Sequence, residues 1–304
     1  MATNLPTALV TGASGFTGRY VVAALIAHGY HVIGLGSELA GVHMSIAGDL
    51  TDAQSIDTVV QASLPDVVVH LAALSFVGQA NIDAFYHVNV VGTLNLLEAL
   101  EKLGSPPRKV LIASCGNIYG PQGEINKEGA IDRVPINHYA ISKLTMDYMV
   151  QTWFSRFPII ITRAANIIGL GQSDRFPVAK LVEHFRRGDG QICLGNNIDI
   201  NHDYSDVRDI AECYVALLES AASSQIINVC SGRARSLREI IHLMTELAGY
   251  EIMVQVDSNL MCVNEIQMPC DNNDLLHNLI GFTPQIPLIE TLRAMFIGKY
   301  PDAE

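Results

Sequence analysis

The chain has 304 residues, 49% of them hydrophobic and 16% charged, enough apolar material for a large core in one large or two interlocked domains. A net charge of −12 argues against nonspecific nucleic-acid binding and against an anionic membrane surface, so any phosphate site has to be local. Six scattered cysteines (Cys115, Cys193, Cys213, Cys230, Cys262 and Cys270) include no C-x-x-C pair, which suits buried thiols better than a disulfide framework or a zinc site, and no metal ligand set is expected.

No basic segment with an apolar core precedes the first strand, and the apolar run Tyr20 to Ile33 is interrupted by His28, Gly29 and His31, so the chain is expected to be cytoplasmic, with no membrane partner. Thr7 to Val10 reads as a buried strand, followed by the turn Thr11-Gly12-Ala13-Ser14-Gly15-Phe16-Thr17-Gly18 and a helical run from Arg19 to His28. This order lets backbone N–H groups at the helix N-terminus face a pyrophosphate, with glycines where a side chain would block the approach. The spacing is G-x-x-G-x-x-G rather than the commoner G-x-G-x-x-G, and a tight turn with no ligand is the plain alternative. The second strand, His31 to Leu35, runs into Gly36-Ser37-Glu38, with neither the acid that binds the ribose hydroxyls of NAD nor the Arg that accommodates the extra phosphate of NADP. Gly36 leaves room for a phosphate and Ser37 can bond it, whereas Glu38 would repel it, so the choice between NAD and NADP stays open.

Val67 to His70, Lys109 to Ala113 and Ile159 to Arg163 are further strands alternating with helical segments. Residues 1–165 are therefore expected to form a Rossmann-type, doubly wound α/β domain with helices on both faces of a parallel sheet. The helix Val90 to Leu103 carries Val90, Val91, Leu94, Leu96, Leu97, Ala99, Leu100 and Leu103, more apolar positions than one face against a sheet requires. A second buried face predicts a dimer, the alternative being a helix wholly internal to the monomer. Tyr139 and Lys143, four apart, share one helix face; a fixed positive charge there lowers a phenol pKa from its ordinary value of about 10. Taken alone, such a pair is more often an ordinary surface contact, and the glycine turn far upstream is what points to redox chemistry.

After Asn166 the pattern becomes irregular, with a helix from Pro177 to Arg187, a strand from Gln191 to Leu194, a helix from Val207 to Ser220 and a strand from Ile226 to Val229. Leu237 to Ala248 reads as an amphipathic helix opened by Ser236, with Glu239 three residues on completing a capping box. A smaller α/β substrate lobe over 166–304 is implied.

Further stretches, Gly48-Asp49-Leu50, Val69-His70-Leu71-Ala72-Ala73, Asn89-Val90-Val91-Gly92-Thr93, Asn117-Ile118-Tyr119-Gly120, Arg163-Ala164-Ala165-Asn166 and Tyr204-Ser205-Asp206-Val207-Arg208-Asp209, complete a series. Together with the glycine turn and Tyr139-Ala140-Ile141-Ser142-Lys143, the chain resembles an extended short-chain dehydrogenase/reductase of the NAD-dependent epimerase/dehydratase family over nearly its whole length. The resemblance implies interleaved lobes, so that 206–229 can return to the first domain, and pairing through the Val90–Leu103 and Tyr139–Phe157 helices. It implies that Gly12, Ser14, Gly15, Phe16, Thr17 and Gly18 line the pyrophosphate, that Asp49 and Leu50 contact the adenine, and that Leu71, Ala72, Ala73 and Asn89 line the path to the nicotinamide. Asp49 also reads as a helix N-terminal carboxylate.

By the same resemblance Tyr139 exchanges the proton while Lys143 holds the nicotinamide ribose and lowers the Tyr139 pKa. The Ser or Thr that normally accompanies them maps to Cys115, a weaker donor, with Ser114 or a water as the alternative. The position of the dehydratase acid holds Asn117, which disfavours dehydration and leaves simple reduction of a 4-keto group. Among family members the chain looks most like reductases of GDP-linked 4-keto-6-deoxy sugars, which places Asn117, Asn166, Lys180, Arg208 and Glu265 near a nucleotide-sugar substrate. Two expected diphosphate arginines are replaced by His202 and Cys262, and His202 reads equally as a phosphate donor or a loop histidine. A sugar-nucleotide 4-epimerase and a non-catalytic dinucleotide sensor remain as alternatives.

Overall fold

The runs Ala8-Leu9-Val10 and Val67-Val68-Val69 are apolar at every position, as strands covered on both faces require. The computed structural model, which describes residues 5–36, 39–75, 81–120, 128, 134–195, 198–256 and 272–300, sets both in the middle of a seven-stranded parallel sheet. Its first six strands are β1 (Thr7–Thr11), β2 (His31–Leu35), β3 (Met44–Ile46), β4 (Val67–His70), β5 (Lys109–Cys115) and β6 (Ile159–Ala164). The chain then leaves the sheet through β7 (Asn166–Ile168), β8 (Gln191–Leu194) and β9 (Asn201–Asp206), rejoins it with β10 (Gln225–Val229), and leaves again through β11 (Ala234–Ser236) and β12 (Met253–Val256). The order across the sheet is β10-β6-β5-β4-β1-β2-β3, the doubly wound α/β arrangement.

Between β1 and β6 lie the helices α1 (Phe16–Ala27), α2 (Ala53–Ser63), α3 (Ile82–Tyr86), α4 (Gly92–Glu101) and α5 (His138–Gln151). Then come α6 (Pro177–Arg187), α7 (Val207–Glu219), α8 (Leu237–Ala248), α9 (Asp274–Ile280) and α10 (Leu288–Ile297). Alternate strand residues feed two cores. Ala8, Val10, Val67, Val69 and Ile160 pack on one face with Val21, Val22 and Leu25 of α1, Ile210, Tyr214 and Leu217 of α7, and Leu276 of α9. Leu9, Val68, Ile112 and Ile161 pack on the other with α2, Leu96, Leu97 and Leu100 of α4, and Met146 and Val150 of α5. Each such fully buried aliphatic side chain contributes about 1.5–3 kcal/mol of hydrophobic burial. A third core joins α6, α8 and α10 with β8, beside a three-stranded sheet ordered β11-β9-β7 and a β12-β8 pair.

Leu237–Ala248 is a helix opened by the expected reciprocal capping box between Ser236 and Glu239. Leu96, Leu97, Ala99, Leu100 and Leu103 are buried within the monomer, where α4 packs against α2 and α5, while Val91 and, on α5, Tyr148 are exposed. One expectation is corrected. Cys193 is exposed rather than buried, since β8 alternates outward Gln191 and Cys193 with inward Ile192 and Leu194. Cys262 and Cys270 lie outside the described residues.

Candidate active site

Gly12 has φ 71°, the left-handed region that glycine tolerates, and a Cβ there would stand 2.7 Å from the Ala72 nitrogen. A Cβ on Gly18 would overlap the Gly12 carbonyl oxygen, and Gly15 N–H donates to that same oxygen at 3.0 Å. The three glycines thus let the turn fold on itself beneath the chain that leaves β4. The first intrahelical bond of α1 runs from Arg19 N–H to the Gly15 carbonyl, so the amides of Phe16, Thr17 and Gly18 are not consumed by the helix. Ser14 and Gly15 are exposed, while the Phe16 ring turns toward Gly169 of the second lobe, leaving its backbone to face the turn.

Beside this turn lies a cavity of about 460 Å³ lined by Gly12, Leu35, Gly48, Asp49, Leu50, Thr51, Ala72 and Val88. The expected adenine residues Asp49 and Leu50 are therefore on its wall. Asp49 accepts from the backbone and hydroxyl of Thr51, both at 2.8 Å, which lowers its pKa. The N-cap of α2 is Asp52, which accepts from Gln54 and Ser55 N–H, so Asp49 is not the helix cap. Gly36 has φ 148° and faces Leu39, so the end of β2 has no place for a ribose-binding carboxylate at that position. Ser37 lies outside the described residues.

Above the turn, Ala72 N–H donates to Thr11 Oγ1 at 3.2 Å. His70 lies between two threonines, Nδ1 to Thr11 Oγ1 at 2.7 Å and Nε2 to Thr93 Oγ1 at 2.9 Å. Thr93 in turn donates to the Asn89 carbonyl at 2.8 Å. Asn89, expected to line the nicotinamide path, is fully buried with its amide committed elsewhere: it accepts from Leu74 N–H at 2.9 Å and donates to the Leu74 carbonyl and to Ser142 Oγ. Its side-chain amide thus ties the chain that follows β4 to α5. This residue lies at the centre of a π-helical stretch, His87–Val91, that joins α3 to α4 and that the helical pattern does not signal.

Tyr139 and Lys143 lie on α5, whose first turn is capped by Asn137 accepting from Ala140 N–H at 2.8 Å. Lys143 is buried at 3% exposure and donates to the Ala113 carbonyl at 2.6 Å. The Cys115 thiol, at the end of β5, lies near enough to the Tyr139 hydroxyl for each to shift the other's ionisation. Burial pushes the Tyr139 phenol well above its ordinary range, with Cys115 adding to the shift. The charge of Lys143 is felt at Cys115 and His70, lowering both. It is not among the leading influences on Tyr139, contrary to the expected depression of that phenol; burial outweighs it. Ser114, the alternative to Cys115, points to the other side of the strand, toward Asp147, as neighbouring strand residues must.

Asp147 was not anticipated. Four residues beyond Lys143 on the same helix face, it is fully buried and accepts from Arg163 Nε at 2.9 Å. Arg163, 1% exposed, also donates to Tyr119 Oη at 3.1 Å, and Tyr119 donates to Asn228 Oδ1 at 2.6 Å. A lone arginine inside the apolar strand Ile159–Ala164 is the signal that could have found this network, because a buried cation requires a buried partner.

The expected substrate residues are less closely gathered. Asn117 is half-buried in the 3₁₀ turn Gly116–Tyr119 beside Cys115. Asn166 donates to the Asp203 carbonyl at 3.3 Å, and Lys180 is exposed on α6. His202 sits in β9 rather than a loop, 8% exposed, with its pKa lowered to about 4 by burial. Among the described residues its Nδ1 is buried with no hydrogen-bond partner. Arg208 is engaged in a bidentate pair with Asp206 (3.0 and 2.8 Å) and stacks on the Tyr300 ring at 4.1 Å, so part of its fork is held by the protein itself. Glu265 and Cys262 lie outside the described residues.

A glycine turn under a doubly wound sheet, with Tyr139 and a buried Lys143 on the helix that packs against the end of β5, defines an extended short-chain dehydrogenase/reductase. The model of the NAD dependent epimerase/dehydratase family matches residues 8–230, and the chain belongs to that family as an NAD(P)-dependent oxidoreductase. The chain is 32% identical over 273 residues to GDP-6-deoxy-D-talose 4-dehydrogenase of Aggregatibacter actinomycetemcomitans, covering 90% of each chain. It is 30% identical over 298 residues to GDP-6-deoxy-D-mannose reductase of Pseudomonas aeruginosa, covering 94% of each. Among solved structures, a candidate epimerase from Burkholderia cenocepacia J2315 superposes with a TM-score of 0.89 at 40% identity, covering 96% of this chain and 97% of the other. RMD from Pseudomonas aeruginosa complexed with NADPH superposes with a TM-score of 0.84 at 30% identity, covering 96% and 98%. The helices among the described residues include none long and apolar enough to cross a membrane.

Proposed function

We propose that the protein reduces the 4-keto group of a nucleotide-linked 4-keto-6-deoxy sugar, GDP-linked, with Tyr139 as proton donor. The observation that carries the reading is the Tyr139 hydroxyl on α5, kept protonated by burial beside Cys115, with Lys143 one helical turn on and held by the Ala113 carbonyl of β5. The names of two relatives that cover nine-tenths of the chain, a GDP-6-deoxy-D-talose 4-dehydrogenase and a GDP-6-deoxy-D-mannose reductase, support the sugar class.

A dinucleotide fits the site, because the glycine turn leaves no Cβ over the α1 amides and the adjoining cavity is walled by Gly12, Asp49, Leu50 and Ala72. When bound it supplies the hydride. Tyr139 gives its proton to the carbonyl oxygen as negative charge develops there, and Cys115 beside it further favours the protonated phenol. Lys143, fixed by the Ala113 carbonyl, places a positive charge behind both groups and is positioned to hold the nicotinamide ribose. Asn117, where a dehydratase would need a carboxylate, offers no base for removing a proton beside the keto group. We assign substrate binding to the lobe of residues 166–304, with Asn166 and Lys180 in it, and place the enzyme in the cytoplasm. The exposed Val91 and Tyr148 favour a homodimer through the α4 and α5 helices.

The test is product analysis of the purified protein with NADH or NADPH and a panel of GDP-, dTDP- and UDP-linked 4-keto-6-deoxy sugars. Oxidation of cofactor with a GDP-linked substrate is expected; failure with every member of the panel sinks the reading. A 4-epimerase is the second reading, prompted by the candidate epimerase at 40% identity. It predicts tightly copurified NAD and interconversion of sugar nucleotides with no net cofactor consumption.

A further inference from the structure

The geometry points to His70 as a positioning residue, a neutral Nε2–H histidine that sets the register between the dinucleotide turn and the helix carrying Tyr139 and Lys143. The inference rests on dinucleotide binding alone and holds for a reductase or an epimerase.

The tautomer follows from the direction of the hydrogen bonds. Thr93 has one hydroxyl proton, which it donates to the Asn89 carbonyl at 2.8 Å. Its oxygen must therefore accept at the His70 contact, so His70 Nε2 carries the hydrogen. On the other side Thr11 Oγ1 already accepts the Ala72 N–H, which leaves its proton to be donated to His70 Nδ1 at 2.7 Å. Every donor and acceptor in the chain is matched once in this arrangement. An imidazolium would present a second N–H to Thr11 and displace one of the bonds. His70 is 2% exposed, and burial together with the charge of Lys143 lowers its pKa to about 3, in agreement with a ring that stays neutral.

The two ends of the chain are the reason to assign it a role in binding. Ala72 is the residue whose backbone crosses Gly12 at the cavity wall, and Thr11 immediately precedes that glycine. At the other end Asn89 holds Leu74 with one set of bonds and Ser142, the neighbour of Lys143, with another. A continuous path of directed bonds therefore runs from the glycine turn through His70 to α5. Asn89 lies in the π-helical turn and Thr93 in the first turn of α4, so the Thr93 hydroxyl reaches the Asn89 carbonyl four residues back, while the Asn89 side chain reaches Ser142 on α5.

The test uses the full chain and two readouts. In ¹⁵N-histidine spectra of the wild type, with His70→Gln for assignment, His70 is expected to show the Nε2–H tautomer and no titration from pH 5 to 8. An Nδ1–H tautomer or a midpoint inside that range would overturn the inference. In fluorescence titrations with NADH and NADPH, His70→Phe is expected to bind roughly tenfold more weakly or worse, having lost both bonds. His70→Gln, which keeps one acceptor and one donor, is expected to recover most of the loss. Equal weakening in both variants in step with their unfolding midpoints would reduce His70 to a structural residue. If His70→Phe does not fold, the wild-type spectrum and the Gln variant still decide the matter.

Discussion

At Tyr139 burial and the Cys115 contact both favour the protonated phenol, so the group is already in the form a reduction consumes. Turnover in the reducing direction is therefore expected to be level from pH 6 to 9 and to fall only in stronger alkali, as the phenol begins to ionise above its ordinary value of about 10. A falling limb centred near pH 7 in a kcat profile would assign the proton to another group. Tyr139→Phe should lower kcat by roughly 10²–10⁴, with dinucleotide affinity from fluorescence titration unchanged; equal loss of both would mean that the tyrosine shapes the site instead. Cys115→Ser replaces a weak S–H donor by a hydroxyl. It is expected to retain or raise kcat, and a large loss with an intact circular dichroism spectrum would remove Cys115 from the site.

The elements were largely legible because their signals are local. Leu237–Ala248 announces itself by Ser236 and Glu239, and His31–Leu35 by an unbroken apolar run ahead of a glycine. The glycine turn was legible for the same reason, since each glycine answers a contact within a few residues or with the next crossing strand. Gly18→Ala, whose Cβ would meet the Gly12 carbonyl, is expected to weaken dinucleotide binding at least tenfold by fluorescence titration. Near-normal affinity would show that the turn can open without cost. Side-chain commitments were not legible. Arg208 and Asn89 look available in sequence, yet their partners Asp206, Tyr300, Leu74 and Ser142 are settled only when distant elements meet. The π-helical turn at His87–Val91 has no periodic signature, and Asp147 was hidden because its partner Arg163 lies on another element. Breaking that pair with Asp147→Ala strands a buried guanidinium and should cost about 3–5 kcal/mol in denaturant unfolding; a loss under 1 kcal/mol would show that water reaches Arg163.

Across the whole molecule, two buried histidines link stability to acid. Burial lowers His70 to about 3 and His202 to about 4, both from about 6.5 in the unfolded chain. Above pH 6.5 both are neutral folded and unfolded, and their contribution is complete. As pH falls below that value the unfolded chain takes up protons the folded chain refuses. Stability is then lost at up to about 1.4 kcal/mol per pH unit for each group until the folded pKa is reached. The melting temperature should accordingly drop between pH 6.5 and 4, and His202→Gln should make the drop shallower. An unchanged slope in that variant would show that His202 is already solvated in the folded state.

The late return of β10 to the edge of the sheet has a consequence for synthesis. The strand pairs with β6, and α7 covers α1 on the same face, but β10 ends roughly 65 residues after β6. At about 5–20 residues per second, a nascent chain that has finished β6 waits roughly 3–13 seconds before its partner emerges. During that interval the edge of β6 that pairs with β10 is open, and α1, already seated on the sheet, still lacks the part of its cover that α7 supplies. A chain stalled before residue 229 is therefore expected to be captured by a holding chaperone more readily than one stalled after it, as pull-down of ribosome-bound chains of both lengths would show.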